Sequence, residues 1–177
     1  MSIFPIQLSK RGQLQCISQQ ISAYAEEIAN LRTDLLGMNV GAPGTGAPKE
    51  ALNALSDRMY EDVLGYSSVH GILPLRQRIS QMYQTDYGAC VSPDNIIITY
   101  GASSAVLVSC VALLDVHDKI AVPLPCYNNY IVTLQRLGLE LQYMHTTADN
   151  NFCITVDDLK ALPSDIKAII LINPSNP

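Results

Sequence analysis

The sequence predicts an α/β fold built on a mainly parallel sheet and preceded by an N-terminal helical arm. Three observations carry that prediction. Ile96-Ile97-Ile98-Thr99-Tyr100 is β-branched and aromatic, too short for a helix and bounded by Gly101, which reads as a buried strand. From Ala102 to Leu114 only Ser103, Ser104 and Ser109 interrupt the apolar residues, as suits a helix buried against a sheet. Ile120 to Leu124 gives the next strand, so the three pieces form a βαβ unit with a right-handed crossover. Such a unit turns a helix N-terminus and the carboxyl ends of strands toward one crevice, where open α/β sheets bind ligands.

Composition bounds the function. The 177 residues suffice for one domain with a real core and are short for two. With 48% hydrophobic and 15% charged residues the chain is a folding one, not a disordered tail. A net charge of −5 without a basic cluster argues against nucleic acid or an anionic membrane surface as partner. The longest apolar stretch, around Ala105 to Leu114, is too short to span a bilayer. MSIFPIQLSKRG lacks the charged and apolar regions of a secretory signal. Five cysteines (Cys16, Cys90, Cys110, Cys126, Cys153) are scattered without a C-x-x-C pair, which fits reduced thiols in the cytoplasm. The three histidines are equally dispersed, and no metal site is expected.

The elements follow in order. The first dozen residues, with Pro5, read as a loose arm. Cys16 to Leu31 carries Ile17, Ile21, Ala25 and Ile28 at helical spacing, with Glu26 and Glu27 outside. Leu35 to Val40 reads as a short strand, and Gly41 to Pro48, dense in glycine and proline, as a loop. Pro48 suits the first turn of a helix from Lys49 to about Tyr60. Asp62 to His70 is polar and turn-rich. Leu75 to Tyr87 is a helix whose Leu75, Ile79, Met82 and Tyr83 stripe reads as core, closed by Gly88. Ser92-Pro93-Asp94-Asn95 turns the chain into the Ile96–Tyr100 strand. Asp115 to Asp118 is a turn in which His117 is solvated. Asn128 to Leu137 is a helix, Leu139 to Met144 a strand and His145 to Asn151 a loop. Thr155 caps a helix with Asp157 and Asp158 in its first turn. Lys167 to Ile172 is a buried parallel strand, followed by Asn173-Pro174-Ser175-Asn176-Pro177.

Candidate site residues sit on the rim of the crevice. Gly101-Ala102-Ser103 opens a helix with small residues, so backbone N–H groups can approach an anion closely, and Ser103 and Ser104 add hydroxyls. Tyr127 follows the next strand and Asn176 the third. A phosphate held on a helix, a flat stacking partner and an amide together describe a phosphorylated aromatic ring, without saying which. Taken singly, each has a plainer reading: a capped helix start for 101–104, a linker for 41–48, a surface tyrosine for Tyr66.

Four landmarks in order reach further: Gly41-Ala42-Pro43; Tyr66 with Gly71-Ile72-Leu73-Pro74-Leu75-Arg76; Thr99 to Ser103 with Pro125-Cys126-Tyr127-Asn128-Asn129-Tyr130; and Asn173 to Pro177. With them, Asn39 to Pro177 resembles the first half of a pyridoxal-phosphate-dependent aminotransferase of fold type I, class I/II. The resemblance implies the incomplete large domain of a three-layer sandwich. Residues 1–45 would be the arm and part of a small domain, and 46–177 the first part of the cofactor domain. It implies pyridoxal 5′-phosphate as cofactor, amino acid and keto acid as substrates, and a cytoplasmic homodimer.

Residue by residue, Gly101, Ala102 and Ser103 would hold the cofactor phosphate, Tyr127 stack on its ring, and Asn176 bond its phenolic oxygen. Tyr66 would reach the phosphate of the neighbouring subunit, and Gly41 would offer backbone to the substrate carboxylate. Asn173 would only shape its loop. The family's turn before the second strand has Pro-Gly where this chain has Val116-His117. The lysine that forms the Schiff base, the aspartate at the pyridine nitrogen and the late arginine lie beyond the Asn-Pro motif in the family. Lys10, Lys49, Lys119, Lys160 and Lys167 match none of those places, so no catalytic residue is assigned. A β-lyase or related synthase of the same fold, and a non-catalytic remnant, are the alternatives. An apolar strand at the end of such a chain is an edge that invites pairing, which makes the chain alone marginal.

Overall fold

The computed structural model describes residues 8–41, 43–61, 63 and 65–176. The Pro5 arm, Ala42, Asp62 and Pro177 lie outside the described residues. The chain divides into two compact units, Gly41–Tyr100 and Met1–Val40 with Gly101–Pro177.

The second of these contains the sheet. Helix α1 (Ile17–Ala29) is followed, after the other unit, by helix α4 (Gly101–Leu113), strand β1 (Lys119–Leu124), helix α5 (Asn128–Arg136), strand β2 (Glu140–His145), helix α6 (Val156–Lys160) and strand β3 (Ile166–Ile169). The strand order is β2-β1-β3, and both pairings are parallel, as βαβ connections require. Register runs from Lys119↔Glu140 to Leu124↔His145 on one side, with Ile120↔Ala168 and Ala121↔Ile169 on the other. Central β1 is buried from Ile120 to Pro123, because a parallel strand covered on both faces takes apolar residues at successive positions. Ile120, Val122, Leu134, Leu139 and Cys110 form the core, joined by half-buried Val106, Leu114, Cys126 and Ile131.

The joints are local. Gly138 (φ +79°) ends α5: its N–H goes to Gln135 O at 3.0 Å and that of Leu139 to Leu134 O at 3.2 Å. His117 stands at φ 75°, a left-handed conformation that glycine adopts without strain, and its N–H donates to Gly138 O at 2.9 Å. Its side chain is 81% exposed, the solvated turn residue the sequence predicts. Thr155 caps α6: its hydroxyl accepts from the Asp158 N–H at 3.2 Å, and Asp158 Oδ2 accepts from the Thr155 N–H at 2.8 Å.

The Gly41–Tyr100 unit contains helix α2 (Lys49–Glu61), helix α3 (Leu73–Tyr87) and a 3-10 turn, Pro93–Asn95, preceded by Ser92, whose hydroxyl accepts from the Asp94 N–H. Gly88 (φ +66°) closes α3 as expected. Buried Arg76 ties the unit together: Nε donates to Gly71 O at 3.1 Å and Nη1 to Pro93 O at 2.7 Å.

Four sequence expectations are corrected. Ile96–Tyr100 is no strand: the Ile98 N–H goes to His70 O at 3.0 Å, and a β-branched run becomes a strand only where a ladder partner lies alongside. Leu35–Val40 likewise joins no ladder; it lines, with Ile21, Tyr24 and Ala25 of α1, a groove of ≈ 620 Å³. The α3 stripe is not core, since Leu75, Met82 and Tyr83 remain about two-fifths exposed and the buried residue is the adjacent Arg76. The last strand is shorter than expected and alternates between half-buried and exposed, because successive side chains point to opposite faces and only the face carrying Ala168 and Ile170 packs against the core.

Candidate functional site

The site is assembled at the carboxyl edge of β1. Gly101 takes φ +80°, where only glycine is comfortable, and Gly101, Ala102 and Ser103 are exposed along the first turn of α4. A 13-residue helix presents at this end a set of N–H groups that no carbonyl of its own accepts, and a partial positive charge. Small side chains leave that backbone approachable. Ala102 and Ser103 are therefore suited to hold an anion.

Past β1 the chain passes the cis Leu124–Pro125 bond and reaches Tyr127, the extended residue that precedes α5 (φ −62°, ψ 116°). The Tyr127 ring is half-buried and packs edge-on against Tyr130, centroids 5.6 Å apart at 90°. The next two residues bind outward in two directions. Asn128 Nδ2 donates to Cys16 Sγ at 3.7 Å, so the N-cap of α1 is held against the start of α5. Asn129 Nδ2 donates to Ser103 Oγ at 3.3 Å, so the start of α5 is held against the start of α4. Ser103 and Tyr127 thus lie on two helix beginnings joined by one hydrogen bond.

The thiols divide by environment. Burial pushes Cys110 and Cys126 up, whereas the contact with Ser18 Oγ (3.0 Å) pulls Cys16 down. All five cysteines are free. No group of three His, Cys, Asp or Glu that could hold a metal occurs among the described residues.

The other expected residues belong to other segments of the chain. Asn176 is exposed beyond β3; because β3 runs parallel to β1, the segments carrying Tyr127 and Asn176 both leave the sheet at its carboxyl edge. Among the described residues no hydrogen bond joins Asn176 to Ser103 or Tyr127. Gly41 and Tyr66 belong to the Gly41–Tyr100 unit; Gly41 has open space around its α-carbon and Tyr66 is fully exposed.

Sequence reading passed over Asn129 and Arg76, although both stand inside quoted motifs. The Asn128-Asn129 pair in a helix's first turn, directly behind the ring residue, was the available signal for the first. The donor set fits a phosphorylated aromatic cofactor. Ser103 Oγ accepts from Asn129, so its own proton is available to an anion, and Tyr127 brings a flat face close by.

The model for the family "Aminotransferase class I and II" matches residues 33–177. Valine–pyruvate aminotransferase of Mycobacterium tuberculosis is 31% identical over 153 residues, covering 86% of this chain and 39% of that protein. A probable aspartate aminotransferase of Methanocaldococcus jannaschii is 34% identical, covering 85% and 40%. The chain spans about two-fifths of the length of these curated relatives. Among solved structures, an aminotransferase from M. tuberculosis superposes with TM-score 0.90 at 28% identity, covering 98% of this chain and 45% of that one. Alanine aminotransferase from Pyrococcus furiosus does so with TM-score 0.88 at 26% identity, covering 97% and 45%. The fold is therefore a partial fold type I domain, and the chain belongs to the class I and II aminotransferase family.

Proposed function

We propose that this chain is the cofactor-binding N-terminal portion of a pyridoxal 5′-phosphate-dependent aminotransferase that moves an amino group from an amino acid to a keto acid. The observation that carries the reading is the junction of α4 and α5 through Ser103 and Asn129 at the carboxyl edge of β1, in a chain of this family.

Gly101, Ala102 and Ser103 hold the cofactor phosphate at the N-terminus of α4, each hydrogen bond contributing about 1 kcal/mol or somewhat more. Tyr127 stacks on the pyridine ring, worth roughly 0.5–1.5 kcal/mol, and fixes its plane. Asn176 donates its amide to the phenolic oxygen. Tyr66 donates its hydroxyl to the phosphate held by a second copy in a homodimer, a role its full exposure supports. Gly41 offers backbone to the substrate carboxylate. When bound, the cofactor supplies an electron sink for chemistry at the amino acid α-carbon.

The chain's own residues bind and orient; none of its five lysines takes the family lysine's part, so the chain alone is not catalytically competent. Residues 1–45 serve as arm and part of the small domain, and 46–177 as the first part of the cofactor domain. The free cysteines support a cytoplasmic protein. Among the described residues no helix is long and apolar enough to cross a membrane.

Titration with pyridoxal 5′-phosphate tests the proposal. Saturable binding that exceeds that of unphosphorylated pyridoxal, and that weakens in Ser103→Ala and Tyr127→Ala, is the expected result. No saturable binding, even with the complementary C-terminal half supplied, would overturn it.

A further inference from the structure

The geometry points to Asn129 as a positioning residue for phosphate binding: its amide holds the Ser103 hydroxyl so that the hydroxyl proton faces the anion. This inference rests on the cofactor site proposed above and adds to it a residue with no contact of its own to the ligand.

Asn129 Nδ2 lies 3.3 Å from Ser103 Oγ, across 26 positions of sequence. A serine hydroxyl carries one donor and two acceptor sites. With one lone pair engaged by the Asn129 N–H, the hydroxyl is committed as a donor elsewhere, and its rotamer is held. Ser103 itself is exposed, so without this partner nothing described around it would select one rotamer over the others. Asn129 is in turn anchored. It lies in the first turn of α5, whose adjoining Asn128 donates to Cys16 Sγ and whose Val132 and Leu134 are buried. The α5 start is therefore a rigid arm, and Asn129 transmits that rigidity to the turn of α4.

The test compares Asn129→Ala, the near-isosteric Asn129→Asp, Ser103→Ala and the Asn129→Ala/Ser103→Ala double variant in the full chain. The probe is pyridoxamine 5′-phosphate, which has no aldehyde to react with surface lysines; pyridoxamine is the control. Thermal melts verify that each variant is folded, and Asn129→Asp keeps the side-chain shape if Asn129→Ala does not fold.

The expected result is about fivefold weaker binding of the phosphorylated probe in each single variant, with pyridoxamine binding unchanged. The double variant should be no weaker than Ser103→Ala alone, since the two act through one hydroxyl. Equal binding by the parent, Asn129→Ala and Asn129→Asp would overturn the role of Asn129 while leaving the site standing. So would an equal loss for both probes, or additive losses in the double variant. No saturable binding by the parent chain would instead remove the site reading, and this inference with it.

Discussion

Gly71 and Ile98 approach so closely that a methyl group on the glycine would fall 2.5 Å from Ile98 Cγ1 and 2.6 Å from its Cβ. Gly71 also sits at φ +93°, where an L side chain is strained in any case. Sequence places Gly71 five residues after Tyr66; structure gives the glycine a reason of its own, because two segments of the Gly41–Tyr100 unit meet there. Gly71→Ala should therefore cost about 3 kcal/mol, overpacking and backbone strain together. Gly44→Ala, with open space around it, should stay within about 0.5 kcal/mol of the parent. Urea denaturation compares the two; similar values for both would contradict this packing.

Arg76 fastens the same unit. Its guanidinium donates to the carbonyls of Gly71 and Pro93, whereas its ion pair with Asp94, at 3.5 Å, faces solvent on the acidic side. Arg76→Ala takes the side-chain donor from the Gly71 carbonyl and leaves Pro93 O with only the Ile96 N–H at 3.3 Å; it should cost about 3 kcal/mol, and Arg76→Lys, which cannot span both carbonyls, about 2 kcal/mol. Asp94→Ala should cost under about 0.5 kcal/mol. A larger loss for Asp94→Ala than for Arg76→Lys would show that the charge, not the two-carbonyl bridge, matters.

Burial separates two leucines that hydropathy cannot. Leu134 of α5 is fully buried, whereas Leu113 at the end of α4 is 79% exposed. Leu134→Ala should destabilise by about 3 kcal/mol and Leu113→Ala by under about 0.5 kcal/mol, read by the same denaturation. Comparable losses would mean that Leu113 is covered in solution.

This contrast marks how far the sequence reaches. The elements from α4 to β2 were legible, because a continuous apolar run and short joints are local signals, whereas the βαβ unit expected from Ile96 to Leu124 lacks its first strand. Periodicity locates an apolar face without saying what covers it, so the Leu75, Ile79, Met82 and Tyr83 stripe of α3 was read as core although Leu75, Met82 and Tyr83 are exposed. A strand is a relation between segments, and among the described residues neither Ile96–Tyr100 nor Leu35–Val40 forms a β-strand. The site was legible where motifs are contiguous, at Gly101 to Ser103 and at Tyr127. Asn129 was not, since its part depends on a serine 26 positions away.

Acid should weaken the fold through two carboxylates. The hydrogen bond from Lys119 Nζ, 2.6 Å away, holds Asp165 below the ordinary carboxylate range, and the Thr155 hydroxyl and N–H do the same for Asp158. A depressed folded pKa contributes stability that is complete above the unfolded value, about 3.9, and is lost as pH falls through the depressed one. Lys119, raised first by the same hydrogen bond, has the opposite sign: its contribution is complete below about pH 10 and is lost only as pH rises further. Stability from these groups should be flat near neutrality and fall on acidification below about pH 4. Asp165→Asn should make the acid fall shallower, and added salt should shrink the difference, since the pair is exposed. An unchanged acid slope in the variant would contradict the assignment.

The central claim is that a phosphorylated pyridine is held at the start of α4 beside Tyr127. Its most direct test is a titration of the isotope-labelled chain with pyridoxamine 5′-phosphate, followed by backbone amide NMR. Saturable shifts that are largest at Ala102, Ser103, Tyr127 and Asn176 are the predicted result; saturable shifts centred elsewhere, or none at these four amides, would contradict it.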